Sequence, residues 1–310
     1  MTTTIEPFYD PNTSTMTYVV FDPDSRDAVV IDPVLDYDPA ASALSYESVN
    51  RVTEFLRSRE LTLHYVLETH AHADHLSGSQ ILRGRFPACK IAIGKDIAKV
   101  QKTFKTIFDL PASFATNGSQ FDELFREGDV GRAGSLEFRV IATPGHTPAC
   151  ITYQFGDALF VGDTIFMPDM GTGRCDFPAG SAEDLYASIR KLYELPDHTR
   201  MFVGHDYQPG GRDLAFETTV GEQKRSNVQL PGNRTRDEFV RFREQRDATL
   251  AAPRLLLQSV QVNVDAGSLP ETKATGLRYL KIPINAFRPD QDEPIALEDI
   301  PTAAQPGGGQ

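Results

Sequence analysis

The chain has 310 residues, with 31 Lys+Arg against 43 Asp+Glu and a formal net charge of −12. Such acidity argues against broad contact with nucleic acid or an anionic membrane surface, both of which would repel it. At 40% hydrophobic and 24% charged residues, the composition is that of a soluble globular protein able to bury a sizeable core, which excludes disorder through most of its length.

In chain order, β-rich segments are predicted over 17–22 and 28–32, joined by an Asp-Pro-Asp turn. An amphipathic helix is predicted over 46–60, with Val49, Val52, Phe55 and Leu56 on one face. A strand over 63–67 runs into His70-Ala71-His72-Ala73-Asp74-His75, where a helix is expected to begin and continue to 85. A strand over 90–93 and a helix over 96–108 follow, then strands over 136–142, 151–155 and 158–161. Ser181 with Asp184 three residues on opens a helix to 195, and Pro196 stops it. A strand over 201–203 ends at Gly204-His205, and a helix over 235–250 is capped by Thr235 and Glu238. The Pro/Gly-rich residues 303–310 read as a flexible tail. One domain over 1–302 is expected, with a helical or irregular extension from about 215. Two separated β-rich blocks interleaved with helices suit two mixed sheets packed together better than one doubly wound sheet.

No apolar run approaches the roughly 20 residues needed to span a bilayer. Residues 1–9 show neither a basic n-region nor an apolar h-region, so no export signal is read there. Three cysteines, Cys89, Cys150 and Cys175, lack CxxC spacing and suit reduced thiols in a cytoplasm.

The chemistry concentrates in four polar clusters at strand termini. His70, His72, Asp74 and His75 put three imidazoles and a carboxylate within six residues, a donor set suited to zinc, iron or manganese. His146 sits in the rigid turn Thr143-Pro144-Gly145-His146-Thr147. Asp163 ends an apolar strand, where a lone carboxylate is costly unless paired or metal-bound. His205 ends another strand. His64 and His198 lack such context and read as ordinary residues.

On these residues the chain resembles metallo-β-lactamase-fold proteins: Thr69-His70-Ala71-His72-Ala73-Asp74-His75 matches that superfamily's first metal motif, His146, Asp163 and His205 its later positions, and Asp32 its early strand-end aspartate. The resemblance implies an α+β, four-layer αββα fold: two mixed β-sheets flanked by helices. In dinuclear members His70, His72 and His146 would hold one metal and Asp74, His75 and His205 the other, with Asp163 bridging. Within the superfamily the chain is most similar to persulfide dioxygenases, through His70 to Ser79, Gly171 to Gly180 and Gly204 to Arg212. The stretch from Val262-Asn263 to Ile282-Pro283 is similar to bacterial forms without a fused rhodanese.

That resemblance implies one Fe(II) on His70, His146 and Asp163, with glutathione persulfide and O2 as partners. His72, Asp74, His75 and His205 would be supporting or second-metal ligands. A two-His, one-carboxylate face leaves about three open positions on an octahedral ferrous ion, whereas redox-inert zinc would instead lower the pKa of water for hydrolysis. Arg174 and Tyr207, with Lys224 and Arg225 on the following helix, are the candidate contacts for a glutathione-like substrate. The competing reading of Arg174 is a salt bridge with Asp176, and that of Lys224 and Arg225 a solvated helix face. Cys175 is read as a buried small residue, with a lowered-pKa thiol as its alternative. The rival function is a zinc-dependent glutathione thioester hydrolase resembling glyoxalase II. A β-lactam or lactone hydrolase and a nuclease rank lower, and a non-catalytic metal- or sulfane-sulfur-binding protein would be expected to have lost ligands. A homodimer is left open as the assembly.

Overall fold

The computed structural model describes residues 3–285. The first half of the chain comprises β1 (Thr4–Asp10), β2 (Thr15–Phe21), β3 (Asp27–Ile31), β4 (Val34–Asp38), β5 (Ala43–Ser45), α1 (Glu47–Ser58), β6 (Thr62–Leu67), β7 (Leu76–Ser77), α2 (Ser79–Arg85), β8 (Lys90–Gly94), α3 (Ile97–Ile107) and β9 (Glu123–Phe125). The second half comprises β10 (Val130–Ala133), β11 (Leu136–Ala142), β12 (Ile151–Phe155), β13 (Ala158–Phe160), α4 (Ala182–Tyr193), β14 (Arg200–Phe202), β15 (Glu217–Thr219), α5 (Val220–Ser226), α6 (Arg236–Asp247) and α7 (Leu256–Asn263).

Two six-stranded sheets result, in the orders β1-β2-β3-β6-β8-β9 and β10-β11-β12-β13-β14-β15, with a small third sheet β5-β4-β7. Both large sheets are mixed: β3-β6-β8-β9 run parallel while β1-β2-β3 are antiparallel, and in the second sheet only β13 and β14 pair in parallel. Strand alternation assigns the layers. Along β2, Met16, Tyr18 and Val20 face the second sheet and meet Phe138, Tyr153, Phe160 and Phe202. Val19 and Phe21 face the other way, toward Val49, Val52 and Leu56 of α1. The outer face of the second sheet buries Leu159, Val161, Met201 and Val203 against Leu185, Ile189 and Leu192 of α4 and Phe239 of α6. The architecture is therefore the α+β, four-layer arrangement of two mixed sheets between helices.

Two helix starts follow their side-chain chemistry. Ser181 accepts from the Asp184 N–H at the start of α4, and Thr235 with Glu238 forms a reciprocal capping box on α6. The expected helix from His70 to 85 is corrected: residues 70–75 are irregular with bends, β7 follows, and α2 starts only at Ser79. The reason is competition from side chains. Asp32 accepts from the Thr69 N–H at 2.7 Å, and Asn263 binds the backbone of His72, His75 and Ser77, so these groups are already engaged outside a helix. The chain past 215 also opens on a strand, β15, which extends the second sheet beside β14. The flexible tail expected over 303–310 lies outside the described residues. No helix among the described residues is long and apolar enough to cross a membrane.

Candidate metal centre

The site forms where strands of both sheets end side by side. Parallel pairing of β3 with β6 places Asp32 beside the turn that follows β6, where its carboxylate also accepts from Thr69 Oγ1 at 2.8 Å. Asp163 arrives after β13 through Gly162, whose φ of +49° and lack of a Cβ are both needed, since a Cβ there would lie 2.4 Å from Thr69 Oγ1. His205 arrives after β14, and its neighbour Gly204 accepts from the Met16 N–H, closing the two sheets together at this end.

His70, His146 and Asp163 bring ligand atoms within 4.8 Å of one another, as do Asp74, Asp163 and His205 and, separately, His72, Asp74 and His75. His146 Nε2 lies 3.6 Å and His70 Nε2 3.9 Å from Asp163 Oδ2. His205 Nε2 lies 3.3 Å from Asp163 Oδ1 and 3.4 Å from Asp74 Oδ2. All seven sequence-selected His/Asp positions thus meet in one region, and all but Asp74 are buried.

Hydrogen bonding at the far nitrogen fixes which nitrogen each ring offers. Thr69 Oγ1 donates to Asp32 and so accepts from His70 Nδ1, 3.0 Å away. His146 Nδ1 donates to the Arg174 carbonyl at 2.7 Å, and His205 Nδ1 to the Ser14 carbonyl at 3.2 Å. His72 is reversed: its Nε2 donates to Asp32 at 3.0 Å, leaving Nδ1 free. Among the described residues, the buried atoms His70 Nε2, His72 Nδ1 and His75 Nε2 have no hydrogen-bond partner. Lone pairs left buried and unpaired beside two carboxylates fit a bound divalent metal.

The electrostatics agree at His70, while at His72 burial is outweighed by Asp32 and Glu68, which push the ring well up, so a metal there would displace a proton. Burial, reinforced by His72 alongside, holds the His70 imidazolium well below its ordinary range, which keeps the ring a neutral donor. Burial acts to lower His205 too, but Asp163 and Asp74 outweigh it and push the ring up to about 9. Burial acts to raise the Asp163 carboxyl, yet His205, His70 and His146 around it hold it far below the usual carboxylate range. The two carboxylates therefore demand a cation between them, which a proton or a metal ion supplies.

A cavity of about 440 Å³ opens over the cluster and reaches Asp74, His146, Asp163 and Tyr207. Tyr207 stacks on His205, with ring centroids 5.5 Å apart. Arg174 lines the cavity but is committed: its guanidinium grips Asp176 at 2.5 Å and donates to the Ala251 carbonyl at 2.7 Å. Lys224 and Arg225 are corrected, since neither lines this cavity; Lys224 pairs with Asp197 at 2.7 Å and borders a separate depression with Arg190 and Glu194. Cys175 is buried, and burial pushes its thiol well up, opposite to an activated thiolate. His64 pairs with Asp27 at 2.6 Å, away from the cluster. Sequence reading missed Arg246 and Arg254, which line the cavity with no side-chain partner among the described residues. A cluster of arginines around the end of α6 was the available signal, but on a polar helix it is indistinguishable from a solvated face.

A family model described as the metallo-beta-lactamase superfamily matches residues 10–205. The chain is 46% identical over 285 residues to Glyoxylase B2 of Dictyostelium discoideum, covering 92% of this chain and 98% of that protein. It is 49% identical over 282 residues to a β-lactamase hydrolase-like protein of Xylella fastidiosa, covering 90% of this chain but spanning only 64% of the relative's length. Human mitochondrial persulfide dioxygenase ETHE1 is 32% identical over 237 residues, covering 76% of this chain and 78% of that protein. The crystal structure of ETHE1 from Myxococcus xanthus superposes with a TM-score of 0.68 at 34% identity, covering 86% of this chain and all of the other.

Proposed function

The chain belongs to the metallo-β-lactamase superfamily, and we propose that within it the protein is a persulfide dioxygenase, converting glutathione persulfide, O2 and water to glutathione and sulfite. One ferrous ion would be held by His70, His146 and Asp163. The terminal sulfur loses four electrons and O2 gains them, while water provides the third sulfite oxygen and the proton balance. The observation that carries this reading is the convergence of two imidazole Nε2 atoms and one carboxylate, a face that leaves positions for two reactants side by side. Likeness to persulfide dioxygenase ETHE1 supports it.

Iron bound there would supply the redox chemistry that O2 reduction needs. This chain's own residues do the rest. Asp32 through Thr69, the Arg174 carbonyl and the Ser14 carbonyl hold the N–H tautomers of His70, His146 and His205. His72, Asp74 and His75 would support those ligands, and Tyr207 closes one side of the cavity. Arg246 and Arg254, without a side-chain partner among the described residues, would receive the two glutathione carboxylates.

The second reading, a zinc-dependent glutathione thioester hydrolase, is favoured by the Asp74, Asp163 and His205 group, which offers a second metal position, and by the name of the Dictyostelium relative. Metal analysis of purified protein, with oxygen uptake on glutathione persulfide and hydrolysis of S-lactoylglutathione measured on the same sample, separates them. One iron per chain and one O2 consumed per sulfite are expected. Two zinc ions with thioester cleavage and no oxygen uptake would replace this reading with the hydrolase.

A further inference from the structure

Asn263, the last residue of α7, is 4% exposed and aimed at the turn carrying His72, Asp74 and His75. Its Nδ2 donates to the His72 carbonyl and to the His75 carbonyl, each at 2.8 Å, and its Oδ1 accepts from the Ser77 N–H at 2.8 Å. Both amide protons and the amide oxygen are thus spent on one stretch of backbone. The Ser77 hydroxyl donates to Glu68, whose other oxygen lies 3.3 Å from His72 Nε2, so the same turn is held through side chains as well.

The helix that brings Asn263 lies beyond residues 10–205, the span of the family match. It is latched independently of the turn. Gln101 donates to the Val264 carbonyl at 2.9 Å and Gln80 to the Ala266 carbonyl at 3.0 Å, while Leu256, Val260 and Val264 enter the core behind the first sheet.

We propose that Asn263 is a positioning residue for the metal site, through which the docking of α7 and the binding of metal stabilise one another. Without it, two buried carbonyls and one N–H would lose their partners, and the backbone at His72 and His75 could satisfy them only by turning. Turning moves the imidazoles. A metal that selects the ordered turn therefore selects docked α7, and by linkage docked α7 tightens metal binding by the same factor.

This rests on the metal site and not on the persulfide substrate, so its test reads metal directly. Asn263→Asp is isosteric and keeps the acceptor for Ser77, but it replaces both donations with an oxygen facing two carbonyl oxygens. Gln80→Ala removes one hydrogen bond to the segment that follows α7, at the Ala266 carbonyl, and leaves α7 docked with all three Asn263 bonds in place. Fe(II) affinity, measured anaerobically by competition with a colorimetric chelator, should fall about 10–100-fold in Asn263→Asp and stay within about twofold in Gln80→Ala. Fe(II) should also slow hydrogen–deuterium exchange across 256–267 in the wild type and not in Asn263→Asp. Unchanged affinity in Asn263→Asp, or an equal loss in Gln80→Ala, overturns the proposal. Should Asn263→Asp fail to fold, the wild-type exchange decides: no change at 256–267 on adding Fe(II) overturns it. A wild type that binds Fe(II) yet ignores persulfide sinks the proposed reaction and leaves this coupling standing.

Discussion

The Arg174 main-chain carbonyl accepts a hydrogen bond from His146 Nδ1 at 2.7 Å, while the Arg174 side chain turns away to Asp176 and the Ala251 carbonyl. One residue thus does two separable things. The carbonyl sets the His146 tautomer, and the guanidinium ties the loop after Asp163 to the segment between α6 and α7.

Arg174→Ala keeps the carbonyl and removes the tie. Metal content per chain should be unchanged, because His146 keeps its acceptor. The apparent KM for glutathione persulfide should rise about three- to tenfold as the cavity wall at 174–176 and 251 loosens, a loss of about 1 kcal/mol from a charge-assisted contact. Metal analysis beside steady-state kinetics checks this; metal loss would show that the carbonyl moves with the side chain.

Gly173, one residue earlier, has the opposite profile. A Cβ built there would lie 1.9 Å from the Asp163 carbonyl oxygen, so backbone must shift at the carboxylate that three histidines share. Gly173→Ala should cost about 3 kcal/mol of stability and lose metal in proportion. Thermal unfolding and metal content of the same preparation test it.

How much of this was legible in the sequence depends on range. His70, His72, Asp74 and His75 are close in the chain and stand out by themselves, whereas His146, Asp163 and His205, each weak alone, were joined to them by the family resemblance, and Glu68, 3.3 Å from His72 Nε2, carried no signal. The helix expected from His70 failed because its competitors lie far away. Asn263 is 186 or more residues from the backbone groups it binds, and no local propensity registers such a partner. Lys224 and Arg225 rested on proximity in sequence to His205: α5 does bond the cavity wall through Gln223 and the Phe166 carbonyl, but Lys224 is drawn to Asp197 instead. Of the edge strands, β9 and β10 are only three and four residues long and β1 is interrupted by Pro7, so none stood out. Arg246 and Arg254 became visible only once the fold put them over the cavity.

Those two arginines carry a prediction of their own. If they receive the glutathione carboxylates, Arg246→Gln and Arg254→Gln should each raise KM about three- to tenfold with little change in kcat, and added salt should erase much of the difference because both cations are exposed. A persulfide without carboxylates, such as that of cysteamine, should be indifferent to either change. An equal effect on both substrates would place their role in cavity structure instead.

Asp265 sits just past α7, partly buried, with no side-chain partner among the described residues, and burial alone pushes its carboxyl up to about 6. The direction of its effect on stability follows from proton counting. Between the ordinary carboxylate value of 3.8 and about 6 the folded chain binds more protons at this position than the unfolded chain. Stability from this group is therefore full below about pH 4 and is lost as pH rises through 6. Asp265→Asn removes the cost of holding the charge near α7, so the variant should be more stable than wild type at pH 7.5. Partial exposure screens that charge and limits the gain to about 1 kcal/mol or less, a rise of at most about 2 °C in Tm for a chain of this size. The difference in Tm should shrink as pH falls from 7 to 4, with wild type and variant compared at each pH so that other acid-sensitive groups cancel. A gap that stays constant across that range would show that the Asp265 carboxyl does not titrate there, and a variant less stable at pH 7.5 would mean that the charge has a partner in solution.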